Sequence, residues 1–252
     1  MWWIRRAVDV TAELLLGAVC PGCQAPGFGL CTACRVRLAE PAPHRAVPTP
    51  CPSGFPTTYS GGPYDDLLHA VIPAHKERQA WLLTAPLADR LATAVEELIM
   101  RTAVDGAPLV LVPVPSTAAA VRRRGRDATA AIAGSAVLRL RRDHDRPLTM
   151  IKMLRPVRRL ADQSELTESE RRRNLAGGYG LRRGLPRLPV GAQLILVDDL
   201  VTTGSSLTEA CRAVRAAGLS VLGAAVVAAT QRRHPSDDRA VRPSGGRVLD
   251  RG

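Results

Sequence analysis

One stretch constrains this chain more than any other: Leu194-Ile195-Leu196-Val197-Asp198-Asp199-Leu200-Val201-Thr202-Thr203-Gly204-Ser205-Ser206-Leu207. Its short apolar run (Gln193 to Val197) suits a strand buried on both faces of a parallel sheet. Two carboxylates follow where such a strand emerges. Thr, Thr, Gly, Ser and Ser then lead into a helix predicted over Ser205 to Ala217, with Gly218 just past its end. Ligands of open α/β sheets bind at the carboxyl ends of the strands. A helix start adds unpaired N–H groups and a positive dipole end. Gly204 permits close backbone approach, and the hydroxyls of Thr202, Thr203, Ser205 and Ser206 add donors. Such a loop suits a phosphate monoester. Asp198 and Asp199 suit sugar hydroxyls beside it, so together they describe a ribose 5-phosphate site. A simple N-capped helix, with Ser205 as cap, needs one hydroxyl residue for about 1 kcal/mol. It leaves the paired acids unexplained.

Other nucleotide signatures are absent. The Walker pattern G-x-x-x-x-G-K-[ST] requires a lysine after glycine, and neither Lys76 nor Lys152 follows one. No G-x-G-x-x-G occurs either.

Elsewhere the chain alternates strand and helix patterns. Leu109 to Val114 reads as a buried strand, Thr117 to Arg141 as an Ala-rich helix, and Thr149 to Leu154 and Leu219 to Ala229 as strands. Earlier, helical patterns run over 1–19, from Asp65 to Val71 with an end near Pro73, and from about Leu82 to Val104. The alternation predicts a parallel sheet covered on both faces. Residues 41–56 are proline-rich and read as a linker. Residues 155–174 are polar and Arg-rich, which suits a mobile lid or a surface for DNA phosphates. The divisions expected are 1–56, 57–230 and a disordered basic tail over 231–252.

Four of the six cysteines form two C-x-x-C pairs, Cys20/Cys23 and Cys31/Cys34. Two such knuckles predict a closed four-thiolate zinc site, which supplies folding energy to a segment too short for its own core. A chance cluster or a redox C-x-x-C is the plainer alternative. Cys211 falls on the apolar face of a helix and reads as core. The five histidines show no metal spacing.

VDDLVTTGSSL resembles the PRPP-binding motif of type I phosphoribosyltransferases. The wider order of motifs resembles the competence protein ComF family, in which a cysteine zinc module precedes such a domain. The matching segments are Cys20 to Cys34, Leu68 to Lys76, Val112 to Pro115, Arg124-Gly125, Gln163 to Gly177 and Val197 to Leu207. They cover roughly residues 20–230. The resemblance implies a type I phosphoribosyltransferase-like α/β domain with a small N-terminal zinc module. It implies PRPP held with Mg²⁺ on the loop, Asp198 and Asp199 on the ribose hydroxyls, and Thr202 to Ser206 on the 5-phosphate. It also implies that Val112 to Pro115 meets the pyrophosphate, and a link to competence, where single-stranded DNA or competence-machinery proteins would be partners. A non-catalytic accessory protein and a PRPP-sensing regulator are the alternative roles. Two departures stand out. The family's R-G segment usually continues aromatic-Asn-Gln, where this chain has Arg126-Asp127-Ala128, and Cys51 stands alone where the family often has a pair, which points to a single zinc.

A net charge of +12 favours anionic partners, although an arginine excess also follows from genomic base composition. With aromatics at 3%, stacking is excluded as the main mode of nucleic-acid binding. No apolar run is long enough to span a bilayer, and the cysteine usage suits a reducing cytoplasm.

Overall fold

The computed structural model describes residues 19–77, 80–102, 106–157 and 176–230. The N-terminal helix expected over 1–19, most of the Arg-rich segment and the tail from 231 lie outside these residues.

The elements run in order: α1 (Thr32–Ala39), β1 (His44–Arg45), β2 (Thr58–Ser60), α2 (Asp66–Glu77), a 3₁₀ turn (Trp81–Leu83), α3 (Thr84–Thr102) and β3 (Leu109–Pro113). Then come α4 (Ala118–Arg124), α5 (Ala128–Asp143), β4 (Leu148–Met150), β5 (Leu154–Pro156), β6 (Tyr179–Leu181), β7 (Gln193–Val201), α6 (Ser205–Ala216) and β8 (Val221–Ala229). The main sheet has the order β1-β2-β8-β7-β3-β4 and is parallel except for the short β1 edge. An antiparallel pair, β5–β6, stands apart from it.

This order places a topological switch at the sheet's centre. From β3 the chain crosses through α4 and α5 to β4 on one side. From β7 it crosses through α6 to β8 on the other. The adjacent carboxyl ends of β3 and β7 therefore open into a crevice, which is where such sheets take ligands. Val114 N–H donates to Val197 C=O at 2.9 Å and extends the pairing to the mouth of that crevice.

Strand alternation sorts the core into two layers. Ile195 and Val197 of β7 pack with α2, α3 and α5, where Leu68, Leu87, Leu91 and Ile132 are buried. Leu194 and Leu196 pack with Leu207, Ala210 and Val214 of α6 and with Tyr179 of β6. The cysteine segment shares the first layer, since Cys20, Leu30, Cys34 and Leu38 lie in one cluster with Leu67 and Leu68.

Three elements depart from the sequence reading. The helix expected from Thr117 to Arg141 is two helices, broken at Gly125, whose φ of +69° is left-handed. Asp127 restarts the chain as N-cap, accepting from Ala130 N–H at 3.3 Å. The strand expected over Thr149 to Leu154 is two three-residue strands in different sheets. Helix α2 runs through Pro73 to Glu77 rather than ending there. An interior proline costs about 3 kcal/mol. Leu67, Leu68, Val71, Ile72, Ala74 and His75 are all buried on that helix, and their burial outweighs the loss.

Candidate functional site

Strand β7 delivers its two aspartates to opposite layers. Asp199 shares the parity of Ile195 and Val197, and its carboxylate forms an ion pair with the Lys76 ammonium from the end of α2. The Asp199 side chain is 5% exposed and that of Lys76 28%. Asp199 Oδ2 is buried and, among the described residues, meets no donor but that ammonium. Burial alone would raise the Asp199 carboxyl, but Lys76 overrides it and holds the group below the usual range. Burial would likewise lower the Lys76 ammonium, and Asp199 and Asp198 raise it instead.

Asp198 shares the parity of Leu194 and Leu196 and is half-buried. Its Oδ1 accepts from the Asp199 N–H at 2.9 Å. Burial first, and then the Asp199 charge, push its carboxyl well above the ordinary range. Tyr179, on the same side, has its phenol raised by burial and by Asp198. Its backbone N–H donates to Glu209 Oε1 at 3.1 Å, and Arg212 clamps the same carboxylate at 2.7 Å. Glu209 thus ties β6 to α6 beside the loop.

The loop itself is built as an open anion cradle. Gly204 is the N-cap of α6, at φ +73°, and no side chain caps the helix from that position. Thr203 Oγ1 lies 3.0 Å from Ser205 Oγ and a long 3.5 Å from Ser205 N–H. The first-turn donors are therefore left for a ligand rather than consumed by a cap. Asp198 and residues 200–207 surround a hollow of about 30 Å³, the scale of one compact group rather than of a nucleoside. A Cβ on Gly204 would lie 2.7 Å from the Phe55 ring and 2.9 Å from Pro48. The proline-rich segment thus packs across the back of the loop, and only glycine leaves room for it.

Helix α2 is the second support. His75 is fully buried, with Nε2 3.0 Å from Thr84 Oγ1. Burial, reinforced by the Arg126 charge, keeps its imidazole neutral, with the pKa down to about 4. Arg126 donates to the His75 carbonyl at 2.5 Å and lies over the Trp81 ring, 5.0 Å from its centre. Arg124 pairs with Glu77 at 2.7 Å and Arg123 at 3.3 Å. Among the arginines singled out from sequence, Arg123, Arg124 and Arg126 are thus tied to the end of α2, while Arg122 stays exposed. The site residues that spacing alone missed are His75 and Tyr179, together with Tyr64, whose phenol is raised by burial and by the Asp199 charge. Lys76 had a visible signal, being one of only two lysines.

The four cysteine sulfurs lie within 4.8 Å of one another. Cys23 and Cys31 sulfurs are 3.5 Å apart, and the Cys31 N–H points at Cys20 Sγ at 3.4 Å. Burial opposes ionisation of Cys20, but N–H groups of Cys31, Gly22 and Cys23 bring its thiol down to about 7. Four soft donors in this cluster could hold a zinc ion in a closed tetrahedral site. Gly22 packs where a Cβ would meet Leu67 at 2.4 Å and Cys34 Sγ at 2.9 Å, so the first knuckle seats directly on α2. The cluster therefore buttresses the helix that carries Lys76. Cys51 is exposed and outside the cluster, and Cys211 is buried in the core as expected.

Residues 130–243 match the phosphoribosyl transferase domain family. The matched span begins within α5 and includes β7, the loop, α6 and β8, somewhat under half of the chain. A phosphoribosyl transferase domain implies a ribose phosphate as its ligand. No curated protein matches the chain. Among the described residues, no helix is long and apolar enough to cross a membrane.

Proposed function

We propose that this protein is a ComF-like member of the phosphoribosyltransferase family that binds PRPP with Mg²⁺ at the loop of residues 202–206. The observation that carries the reading is an uncapped helix start at the β3–β7 switch point, flanked by two aspartates. Thr202, Thr203, Gly204, Ser205 and Ser206 take the 5-phosphate. Asp198 and Asp199 accept from the ribose hydroxyls, Asp199 being held ionised by Lys76.

The reaction is displacement of pyrophosphate from C1 of the ribose by a nucleophile. Its transition state has oxocarbenium character, so fixed charges matter more than a strong base. Mg²⁺ bound together with PRPP would supply charge to assist departure of the pyrophosphate. The buried acids are already offset by one lysine and suit hydroxyl recognition better than capture of a bare cation. The four-cysteine cluster takes a structural zinc through Cys20, Cys23, Cys31 and Cys34. The net charge of +12 supports a second reading, a competence accessory protein that binds single-stranded DNA or partner proteins and uses PRPP as a signal.

The test is isothermal titration of PRPP with Mg²⁺ into wild type and into Asp198→Asn/Asp199→Asn. The reading requires loss of binding in a folded variant. Equal affinity refutes the site. Pyrophosphate release on adding candidate bases separates an enzyme from a sensor.

A further inference from the structure

An apolar patch lies where the cysteine module meets the 3₁₀ turn. Trp81 is 63% exposed, Leu82 60% and Phe28 48%. The patch is continuous across the two segments: a Cβ on Gly29, next to Phe28, would lie 3.0 Å from Leu82 Cβ. The Arg126 guanidinium lies over the Trp81 ring, and the indole is still largely open to water. Apolar residues exposed singly are ordinary. Two aromatic rings and a leucine in adjoining segments mark a surface that another apolar segment covers.

The same place is where residues 1–18 join the described chain. Val19 is itself exposed and forms an antiparallel bridge with Pro26, two residues before Phe28. Cys20 N–H donates to Ala25 C=O at 2.8 Å and closes that loop. The residues ahead of Val19 therefore depart from the rim of the patch. Their sequence carries an apolar stripe at helical spacing, Trp3, Ile4, Ala7, Val10, Leu14 and Leu15, with Arg5, Arg6, Asp9 and Glu13 on the opposite side. As a helix, this length of chain would span about 27 Å, enough to reach across side chains that begin beside its tether.

We infer that the patch is the docking site of the chain's own residues 1–18, with the stripe from Trp3 to Leu15 laid over Phe28, Trp81 and Leu82. A segment tethered at the rim meets the patch at an effective concentration on the order of millimolar, ahead of any free partner present at lower levels. The contact also backs the site's support, since the Arg126 that lies over Trp81 donates to the His75 carbonyl at 2.5 Å. The inference is independent of what the loop of residues 202–206 binds.

The experiment is hydroxyl-radical footprinting of the full chain, read by mass spectrometry, in wild type and in Val10→Asp/Leu14→Asp. Oxidation of Phe28, Trp81 and Leu82 is expected to rise at least three-fold in the variant. Val190, exposed elsewhere, is expected to stay unchanged. The reciprocal measurement is amide hydrogen exchange across residues 3–16, expected to quicken at least ten-fold in Trp81→Ala/Leu82→Ser. Phe28→Ser repeats that arm where the double substitution disturbs folding. The inference is overturned by unchanged oxidation of the three patch residues in the stripe variant, or by unchanged exchange in the patch variants. It is equally overturned if sedimentation velocity shows that the protection appears only as a dimer forms, which would give the patch to a second copy.

Discussion

Removing the Lys76 ammonium puts the central ion pair to a quantitative test. In Lys76→Met the Asp199 carboxylate stays buried, 5% exposed, with its Oδ2 facing no donor. Breaking one side of a buried pair costs about 3–5 kcal/mol. The lysine end is 28% exposed, so some water reaches the orphaned acid, and the lower figure, about 3 kcal/mol, applies. Asp199→Asn leaves a lysine able to turn toward solvent and costs about 1 kcal/mol. The double variant loses both charges and falls about 1 kcal/mol below wild type, which makes the coupling about 3 kcal/mol. Urea unfolding at pH 7, followed by far-ultraviolet circular dichroism, measures all four corners of the cycle. The sign with pH is fixed. Asp199 has its folded pKa depressed, so the pair stabilises above the acid's unfolded value and ceases to do so as pH falls through the folded one. The Lys76→Met penalty therefore shrinks toward zero in acid. A single-variant loss under 0.5 kcal/mol at pH 7, or a penalty that persists undiminished to pH 3, refutes the argument.

Three further outcomes follow from the same geometry. His75, buried neutral with its pKa lowered from 6.5 to about 4, makes the fold lose about 3 kcal/mol as pH drops between those values; His75→Gln flattens that part of the stability profile, and an unchanged slope counts against the assignment. Gly22→Ala drives a methyl into Leu67 and Cys34 Sγ, costing about 1–3 kcal/mol and lowering the zinc content measured by atomic absorption; wild-type stability and metal content would contradict the packing. Gly204→Ala meets both the left-handed backbone and the Phe55 ring, so it is expected to weaken PRPP binding at least ten-fold in titration calorimetry, and undiminished binding would show that the strap does not shape the loop.

How much of this was legible in the residues depends on how local each feature is. The unit β7–loop–α6 was readable because its apolar run, acids, glycine and hydroxyls are consecutive; the helix lies where the pattern puts it, while the strand runs on past Val197 through both acids to Val201. The two cysteine knuckles were readable for the same reason, and their sulfurs do converge. The break at Gly125 was hidden between two Ala-rich runs, although Gly125 followed by Asp127 is the helix stop and restart that the structure shows. Strands β1, β2 and β6 have only two or three residues each and exist through pairing with distant partners. Pro73 misled because a local rule about proline cannot see the buried contacts that carry α2 past it. The Lys76–Asp199 pair joins residues far apart in sequence, and no spacing rule reaches across that distance.

The most direct measurement is a crystal structure of the protein with PRPP and Mg²⁺. The 5-phosphate is expected at the start of α6, accepting from the N–H groups and hydroxyls of residues 202–206, with the ribose hydroxyls on the β7 aspartates. A 5-phosphate bound anywhere else, with residues 202–206 bare, would contradict it.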